Sequence, residues 1–407
     1  MRSPVAAAMS LAVLSVALTA SCLSAQTAPP ATGSAAAATP AAGGPAYLDP
    51  ANWRTVKPVV TNDIVYATVP HVPNPSAEAS ANPGTPNGIR PPLPNSGPPG
   101  TMDMHLDVYQ VPSDKPTPVV IQIHGGGWIR GDRPSGSGSF GPFFAAGMSV
   151  VAVQYRNAID APAPAAVQDV LCAMSWVKKN AAKYNFDPNK VVTWGGSAGG
   201  HLALMAGYAP ASMDPPGCTD QPKVVAVIDM YGASDVAESL TFHGSMDFTH
   251  QWIGLDLPLP PDPAPAAAAA PAAPVSAPAA ASIPATPGSA PIAASAGTAA
   301  PGGAPRVRPS APHWPEPTED MLASARYVSP LTYIHPGLPP TFIINGDHDG
   351  TYNPTQSYKL KAALDAAHVP NQEDIVVGGG HGNFSPAENQ KGTILWMQFL
   401  HDNGVIE

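Results

Sequence analysis

Short runs of β-branched and aliphatic residues alternate along this chain with longer segments whose apolar residues recur at helical spacing. The runs over residues 118–124 and 149–155 are of the kind that is buried in a parallel sheet. Residues 163–184 then place Val167, Val170 and other apolar residues at helical spacing, with lysines near the end, where the helix dipole favours them. Further strands are expected over residues 190–194, 224–230 and 340–345, and further helices over residues 198–207, 355–368 and 389–403.

This alternation constrains the fold class of the chain. It predicts an α/β fold in which a mostly parallel central sheet is flanked by helices on both faces. Active sites in such sheets lie at the carboxyl ends of the strands. The loops that directly follow the predicted strands are therefore where we expect chemistry.

Two stretches of the chain are rich in Ala and Pro and poor in the large apolar residues of a packed core. Residues 26–45 have almost no large apolar side chain, so we expect a disordered tether. Residues 258–312 are mostly Ala and Pro, and they predict a disordered insertion because folded sequence continues on both sides. A lid over acyl chains would carry large apolar residues, so a tolerated insertion is favoured over a lid. Residues 46–407 otherwise predict a single domain.

The first 25 residues have the form of a secretory signal peptide, with Arg2 before an apolar stretch over residues 5–18. This stretch is shorter than the roughly 20 residues that span a bilayer. We therefore expect an exported protein, periplasmic or secreted, without an integral membrane span. A lipid anchor at Cys22 is a less favoured alternative. Cys172 and Cys218 remain as an even pair, and the sequence leaves open whether they form a disulfide.

Charge excludes two classes of partner. The formal net charge is −10, only 12% of the residues are charged, and the chain contains no basic run. Nucleic acids and anionic membranes bind clustered Lys and Arg. We therefore expect neither of them to be a partner.

The segment Gly195-Gly196-Ser197-Ala198-Gly199 joins a predicted strand to a predicted helix. In this Gly-x-Ser-x-Gly pattern the serine sits on a cramped turn, and the glycines leave space where a Cβ would meet neighbouring backbone. The same letters also occur by chance in glycine-rich loops. Because the strand and the helix stand where the motif requires them, we expect Ser197 to be a nucleophile.

Three glycines follow the first predicted strand directly after His124. Their N–H groups are unshielded by side chains, and they can converge on the oxygen that becomes negative when a carbonyl is attacked. We expect this oxyanion hole to consist of Gly126 and Gly127, joined by the N–H of Ala198. His124 is expected to hold the loop by hydrogen bonding and not to transfer a proton.

Acidic residues follow the predicted strand over residues 340–345, and a histidine follows the next predicted strand, which contains Ile375-Val376-Val377. His381 alone among the twelve histidines lies in a glycine-rich turn after the last strand, so we expect it to be the general base for Ser197. Asp349 is favoured as the acid that holds the imidazole tautomer. Asp347 and Asp235 also follow strands and remain open alternatives.

These motifs, in this order, resemble the bacterial serine esterases of the α/β-hydrolase superfamily, close to the hormone-sensitive-lipase-like and the feruloyl or acetylxylan esterase-like branches. The resemblance runs from about residue 106 to the C terminus without the insertion. It implies hydrolysis of carboxylic esters with no metal and no dissociable cofactor. One departure is that the usual valine before the proline is replaced in Asp349-Gly-Thr-Tyr-Asn-Pro354. The segments that carry the resemblance are Leu106-Asp-Val-Tyr109, His124-Gly-Gly-Gly-Trp128, Gly195-Gly-Ser-Ala-Gly-Gly-His201, Tyr231-Gly-Ala-Ser-Asp235, Gly346-Asp-His-Asp349 and Gly380-His-Gly382.

We therefore expect an exported serine carboxylic-ester hydrolase that acts through an acyl-enzyme on Ser197. Its expected substrates are short-chain acyl esters, or acetyl and feruloyl esters of small molecules or polysaccharides. A serine peptidase related to prolyl oligopeptidases is an alternative, although the N-terminal region is too short for a propeller and lacks its repeats. A catalytically inactive hydrolase fold that serves as a binding module is a second alternative, disfavoured because the serine, the histidine and the glycines are all present.

Overall fold

A computed structural model describes residues 45–72, 98–133, 136–254 and 316–407. The expected signal peptide, the anchor at Cys22, the tether up to residue 44 and the proline-rich insertion lie outside the described residues. Within the described ranges, no helix is long and apolar enough to cross a membrane.

The described strands form one sheet of eight, and their bounds in chain order are β1 (Val59–Pro70), β2 (Thr101–Gln110), β3 (Thr117–Ile123), β4 (Ser149–Val153), β5 (Phe186–Gly196), β6 (Val224–Met230), β7 (Thr341–Gly346) and β8 (Asn371–Val376). Their order across the sheet is β1-β2-β4-β3-β5-β6-β7-β8. Strand β2 pairs antiparallel with β1 and β4. All the other neighbours pair in parallel, which confirms the expected mostly parallel sheet.

The α-helices of the described residues are α1 (Gly141–Ala145), α2 (Ala165–Lys179), α3 (Ala181–Tyr184), α4 (Ala198–Tyr208), α5 (Val236–Ser239), α6 (Met246–Ile253), α7 (Glu319–Tyr327), α8 (Thr355–Ala366) and α9 (Pro386–Asp402). The last of them begins with a capping box, in which the Ser385 hydroxyl and the Glu388 carboxylate each accept a backbone N–H of the other residue. This box starts the helix at Pro386, three residues before the expected residue 389.

Apolar side chains from the central strands are buried on both faces of the sheet. In β3, Val119 and Ile121 point into a core that includes residues of α2, α4 and α8, while Val120 points into a second core with residues of α1 and α9. Successive side chains of a strand point to opposite faces, so a run of apolar residues needs cover on both. The expected helices on both faces are thereby confirmed.

The helix expected over residues 163–184 is wrong in extent, because the structure divides it into α2 and α3 at Asn180. Both the backbone N–H and the side-chain amide of Asn180 donate to the carbonyl of Trp176. Asn competes for backbone hydrogen bonds in this way, and it favours helix ends. Strand β5 is also longer than the expected 190–194, and its last residues carry the chain directly to Ser197.

Cys172 of α2 and Cys218 of the loop that follows α4 form a disulfide. The bridge joins positions 46 residues apart in the sequence. The pairing that the sequence left open is thus present in the structure.

Candidate active site

The backbone turn at Ser197 lies between the end of β5 and the start of α4. Ser197 has φ 58° and ψ −126°, a combination that L-residues rarely adopt. A Cβ on Gly195 would lie 2.4 Å from the Gly199 carbonyl oxygen, and one on Gly199 would lie 2.1 Å from the Ile123 carbonyl oxygen. Both positions therefore require glycine, and the tight turn lifts the serine side chain out of the sheet.

Backbone hydrogen bonds tie together the loops that leave neighbouring strands. The Ser197 N–H donates to the Met230 carbonyl at 2.8 Å, and the Tyr231 N–H donates to the Ile344 carbonyl at 2.7 Å. The His348 N–H donates in turn to a carbonyl oxygen in the loop after β8, at 2.9 Å. The serine turn and the loops after β6, β7 and β8 therefore form one connected edge of the sheet.

Ser197, His381 and Asp349 lie in a row at this edge. His381 Nε2 lies 2.8 Å from Ser197 Oγ, and His381 Nδ1 lies 2.8 Å from Asp349 Oδ2. A carboxylate only accepts, so Nδ1 carries the ring proton and Nε2 is free to accept the serine proton. Asp349 is buried, and its Oδ1 accepts the backbone N–H groups of Thr351 and Tyr352. These two bonds hold the carboxylate in place.

The other two candidate acids have different contacts. Asp347 Oδ1 accepts the Gly378 N–H at 2.6 Å and so fixes the turn after β8. Asp235 Oδ1 accepts the Glu238 N–H at 3.0 Å as the N-cap of α5. Of the three aspartates, Asp349 is the one that the structure brings to His381.

The glycine loop lies against the serine turn. A Cβ on Gly125 would lie 2.8 Å from the Gly196 carbonyl oxygen. Gly126 and Gly127 have φ values of 127° and 61°, and a Cβ on Gly126 would lie 2.0 Å from the Arg130 carbonyl oxygen. Ala198 is the first residue of α4, so its N–H has no acceptor within the helix. Gly125, which directly precedes Gly126 and Gly127 in the chain, therefore lies against the serine turn, and Ala198 directly follows Ser197.

His124 contacts the backbone of the glycine loop. Its Nδ1 lies 2.8 Å from the Gly125 carbonyl oxygen, which can only accept, so Nδ1 donates. The ring stacks on Tyr155 at 4.1 Å, and the Tyr155 hydroxyl donates to the His124 carbonyl. Burial lowers the pKa of His124 to about 4, against the weaker raising effect of the bond to Gly125. A neutral, fixed ring agrees with the expectation that His124 holds the loop.

Two tyrosines that the sequence analysis did not single out contact the His381 ring. Tyr231 and Tyr352 meet it edge-on, with ring centroids 4.9 and 5.3 Å away. Tyr352 lies in the segment 349–354, in which the usual valine is replaced. This departure was the sequence signal that could have drawn attention to Tyr352. Tyr231 has φ 46°, and its hydroxyl lies 2.9 Å from the point where a Cβ on Gly196 would stand. The expected general base is therefore enclosed by aromatic rings.

Electrostatics at the site come from protein side chains and backbone amides. Among the residues that the structure describes, no cluster of three or more His, Cys, Asp or Glu side chains is arranged to hold a metal ion. The arrangement can take a proton from a hydroxyl, and it can present amide N–H groups to a nearby oxygen.

Comparisons with known proteins find similarity to esterases over part of the chain. The BD-FAE family model matches residues 106–279, which is less than half of the chain. Esterase LipQ of Mycobacterium tuberculosis is 32% identical over 187 residues, which cover 44% of this chain and 42% of LipQ. Carboxylesterase NlhH of the same organism is 37% identical over 124 residues, which cover 29% of this chain and 38% of NlhH. The chain thus spans less than half the length of these curated relatives.

Solved structures share the fold at low sequence identity. The apo form of Thermogutta terrifontis esterase 2 superposes with a TM-score of 0.51 at 22% identity, covering 75% of this chain and 91% of the esterase. A truncated carbohydrate esterase from gut microbiota superposes with a TM-score of 0.53 at 19% identity, covering 86% of this chain and 98% of that chain. With its mostly parallel sheet, its serine turn and these structural matches, the chain has the α/β-hydrolase fold, and parts of its sequence are similar to known esterases.

Proposed function

We propose that this protein is a serine hydrolase of carboxylic esters, with Ser197 as nucleophile, His381 as general base and Asp349 as the acid that orients the base. The observation that carries the proposal is the pair of 2.8 Å contacts that link the three side chains in that order. The curated relatives LipQ and NlhH are named an esterase and a carboxylesterase, which supports the same reaction.

In the proposed mechanism, Ser197 Oγ attacks the ester carbonyl carbon while its proton moves to His381 Nε2. The carbonyl oxygen becomes negative and accepts hydrogen bonds from the amides of Gly126, Gly127 and Ala198. Asp349 stabilises the imidazolium without taking its proton.

Collapse of the tetrahedral intermediate completes the acylation half of the reaction. The bond to the alkoxy oxygen breaks, and the imidazolium returns its proton to the departing alcohol. The acyl group is left on Ser197. Water then repeats the same steps, with His381 taking its proton, and the acid is released.

Short acyl groups fit the surroundings of Ser197 best. The Phe248 side chain lies directly over the glycine loop, since a Cβ on Gly127 would be 2.9 Å from its ring. The Phe248 ring also contacts the rings of Trp128 and Tyr352, with centroids 6.1 and 5.9 Å away. These large side chains restrict the space beside the proposed oxyanion hole. We therefore propose acetyl and other short acyl esters, with acetyl esters of polysaccharides as the natural candidates.

A substrate series tests the reaction and the substrate together. We expect p-nitrophenyl acetate and butyrate to be hydrolysed with a higher kcat/KM than p-nitrophenyl octanoate. Where the space for the acyl group is restricted, the length of the acyl chain alone can produce such a difference. A feruloyl ester, an acetylated polysaccharide and a dipeptide amide complete the series. If the amide is cleaved faster than every ester, the protein is a peptidase and the proposal fails.

Active-site labelling tests the role of Ser197. A fluorophosphonate probe should label the wild type and leave Ser197→Ala unlabelled, because only an activated serine reacts. Ser175→Ala is the matched control, since Ser175 is a buried serine of α2 outside this site and its loss should leave labelling intact. Absence of labelling in the wild type would instead favour an inactive binding module.

We further propose that the protein is exported, because its first 25 residues have the form of a signal peptide. Fractionation of the producing cells and the intact mass of the purified protein test this proposal. An unmodified N terminus after residue 25 would support conventional cleavage, and a lipid-modified Cys22 would support an anchor. Retention of the complete chain inside the cell would contradict export.

A further inference from the structure

The Tyr352 hydroxyl is a buried polar group without a hydrogen-bond partner of normal geometry among the described residues. Its residue is 3% exposed, and its backbone N–H is used in holding Asp349. Buried hydroxyl groups are almost always hydrogen-bonded, and one that is not destabilises the folded protein. A hydroxyl of this kind beside a reactive serine calls for a functional explanation.

The Tyr352 side chain lies between the expected base and the glycine loop. Its ring contacts His381 on one side, with centroids 5.3 Å apart. It contacts Phe248 and Trp128 on the other, with centroids 5.9 and 6.3 Å apart. Trp128 directly follows Gly127, and Phe248 covers that glycine. The Tyr352 ring therefore lies between His381 and the two aromatic side chains next to Gly127.

The ionisation state of Tyr352 suits a hydrogen-bond donor. Burial raises the pKa of the phenol far above its ordinary value, and a hydrogen-bonding contact with the Ser197 hydroxyl, which falls outside normal geometry, opposes part of the rise. The phenol is accordingly neutral and keeps its proton at any pH at which the enzyme would be assayed. A neutral donor at a buried position is well suited to stabilise charge that develops on a substrate.

We propose that the Tyr352 hydroxyl donates a hydrogen bond to the substrate carbonyl oxygen as that oxygen becomes negative, and so adds a side-chain donor to the backbone amides at Ser197. The phenol keeps its proton throughout, and no bond to it forms or breaks. This inference rests on the proposed ester hydrolysis. It identifies the substrate carbonyl oxygen as the hydrogen-bond acceptor of the Tyr352 hydroxyl.

Tyr352→Phe tests the proposal because it removes the hydroxyl and keeps the ring against His381, Phe248 and Trp128. We expect kcat for p-nitrophenyl acetate to fall by about 100-fold with KM little changed, as for loss of another oxyanion donor. The melting temperature should stay the same or rise, because an unpartnered buried hydroxyl is removed. A hydroxyl with a purely structural role would lower the melting temperature and leave kcat unchanged.

Tyr208→Phe is the matched control. The Tyr208 hydroxyl is also buried, but it bonds to the Thr341 hydroxyl, away from Ser197. This variant should lose stability and keep the kcat of the wild type. If Tyr352→Phe hydrolyses p-nitrophenyl acetate with the wild-type kcat, or loses kcat only in step with its melting temperature, the inference is wrong while the proposed function stands.

Binding of phenylboronic acid separates the inference from the proposed function. Boronic acids form a tetrahedral, negatively charged adduct with an activated serine and need no ester turnover. We expect Tyr352→Phe to bind phenylboronic acid about 100-fold more weakly than the wild type. A weaker affinity in a protein that hydrolyses no ester would leave the inference standing and overturn the ester substrate. Equal affinities, or no binding by either protein, would overturn the inference.

Discussion

Trp128 Nε1 donates a hydrogen bond to His201 Nδ1 across 3.1 Å in the buried core beside the serine turn. An indole nitrogen can only donate, so His201 Nδ1 carries no proton. The other ring nitrogen, Nε2, therefore donates to the Val328 carbonyl at 2.7 Å. One neutral imidazole thus joins the end of the glycine loop, the helix after Ser197 and the segment after α7.

This arrangement predicts acid sensitivity through His201. Burial lowers its pKa to about 4, so between pH 6.5 and 4 the unfolded chain takes up a proton that the folded protein does not. The contribution of His201 to the free energy of unfolding should fall by about 3 kcal/mol as the pH drops through this window. Urea unfolding of the wild type and of His201→Gln at pH 7.5, 6 and 4.5 measures the effect. The advantage of the wild type over the variant should shrink towards low pH, and a constant difference would contradict the prediction.

The burial of Asp229 predicts that its contribution to the free energy of unfolding changes with pH in the opposite direction. Burial of Asp229 in β6 raises its pKa to about 7. The hydrogen bond that the carboxylate accepts from the Gly232 N–H lowers the pKa and opposes part of this rise. From pH 4 to 7 the unfolded chain releases this proton while the folded protein holds it, so the carboxyl destabilises the fold increasingly as the pH rises. Asp229→Asn should gain on the order of 3 kcal/mol relative to the wild type between pH 4 and pH 8. Thermal melts of both proteins at pH 4 and pH 8 measure this difference in stability. A difference between variant and wild type that is no larger at pH 8 than at pH 4 would contradict the prediction.

Asp349 and Asp347 give a matched pair of acid substitutions. Asp349→Asn should lower kcat by about 10³- to 10⁴-fold, because the amide no longer selects the productive tautomer of His381. Asp347→Asn can still accept the Gly378 N–H, and it should change kcat little. Initial rates with p-nitrophenyl acetate distinguish the two variants. A comparable loss in both would show that net charge near the site, and not the bond to His381, controls the rate.

The disulfide should stabilise the fold without taking part in the reaction. For a bridge between positions 46 residues apart, the loss of chain entropy in the unfolded state corresponds to about 4 kcal/mol. Dithiothreitol should therefore lower the melting temperature of the wild type and leave kcat at 25 °C unchanged. The double variant Cys172→Ala with Cys218→Ala should melt lower from the outset and be indifferent to dithiothreitol. If dithiothreitol leaves the melting temperature of the double variant unchanged, its effect on the wild type comes from reduction of the disulfide and not from another action of the reagent.

The parts of the fold with continuous apolar runs were predictable from the sequence. Strand β6 has the expected bounds, and β3, β4 and β7 differ by one or two residues. Strand β1 escaped prediction because it lies at the edge of the sheet, where many of its side chains are exposed and no apolar alternation marks it. The break at Asn180 also escaped prediction, because helical spacing continues beyond it and does not reveal that the Asn180 side chain bonds to the Trp176 carbonyl.

The site shows the same division between local and long-range information. The turn at Ser197 and the glycine loop are local patterns, each readable from a few consecutive residues. The choice among Asp349, Asp347 and Asp235 depends on which carboxylate reaches His381 across the sheet edge, and spacing along the chain does not encode that distance. The place of Tyr352 beside Ser197 was equally hidden, because its neighbours Phe248 and Trp128 come from distant parts of the sequence.

The backbone hydrogen bonds that join the loops at the strand ends affect which side chains near the site can be substituted without moving the reactive groups. Main-chain atoms of Ser197, Tyr231 and His348 make these bonds, so they persist whatever side chains stand nearby. Residues of the pocket wall such as Phe248 can then be exchanged by mutation while the hydroxyl and the imidazole keep their separation. New substrate preferences are accessible by single substitutions that leave the reactive groups in register.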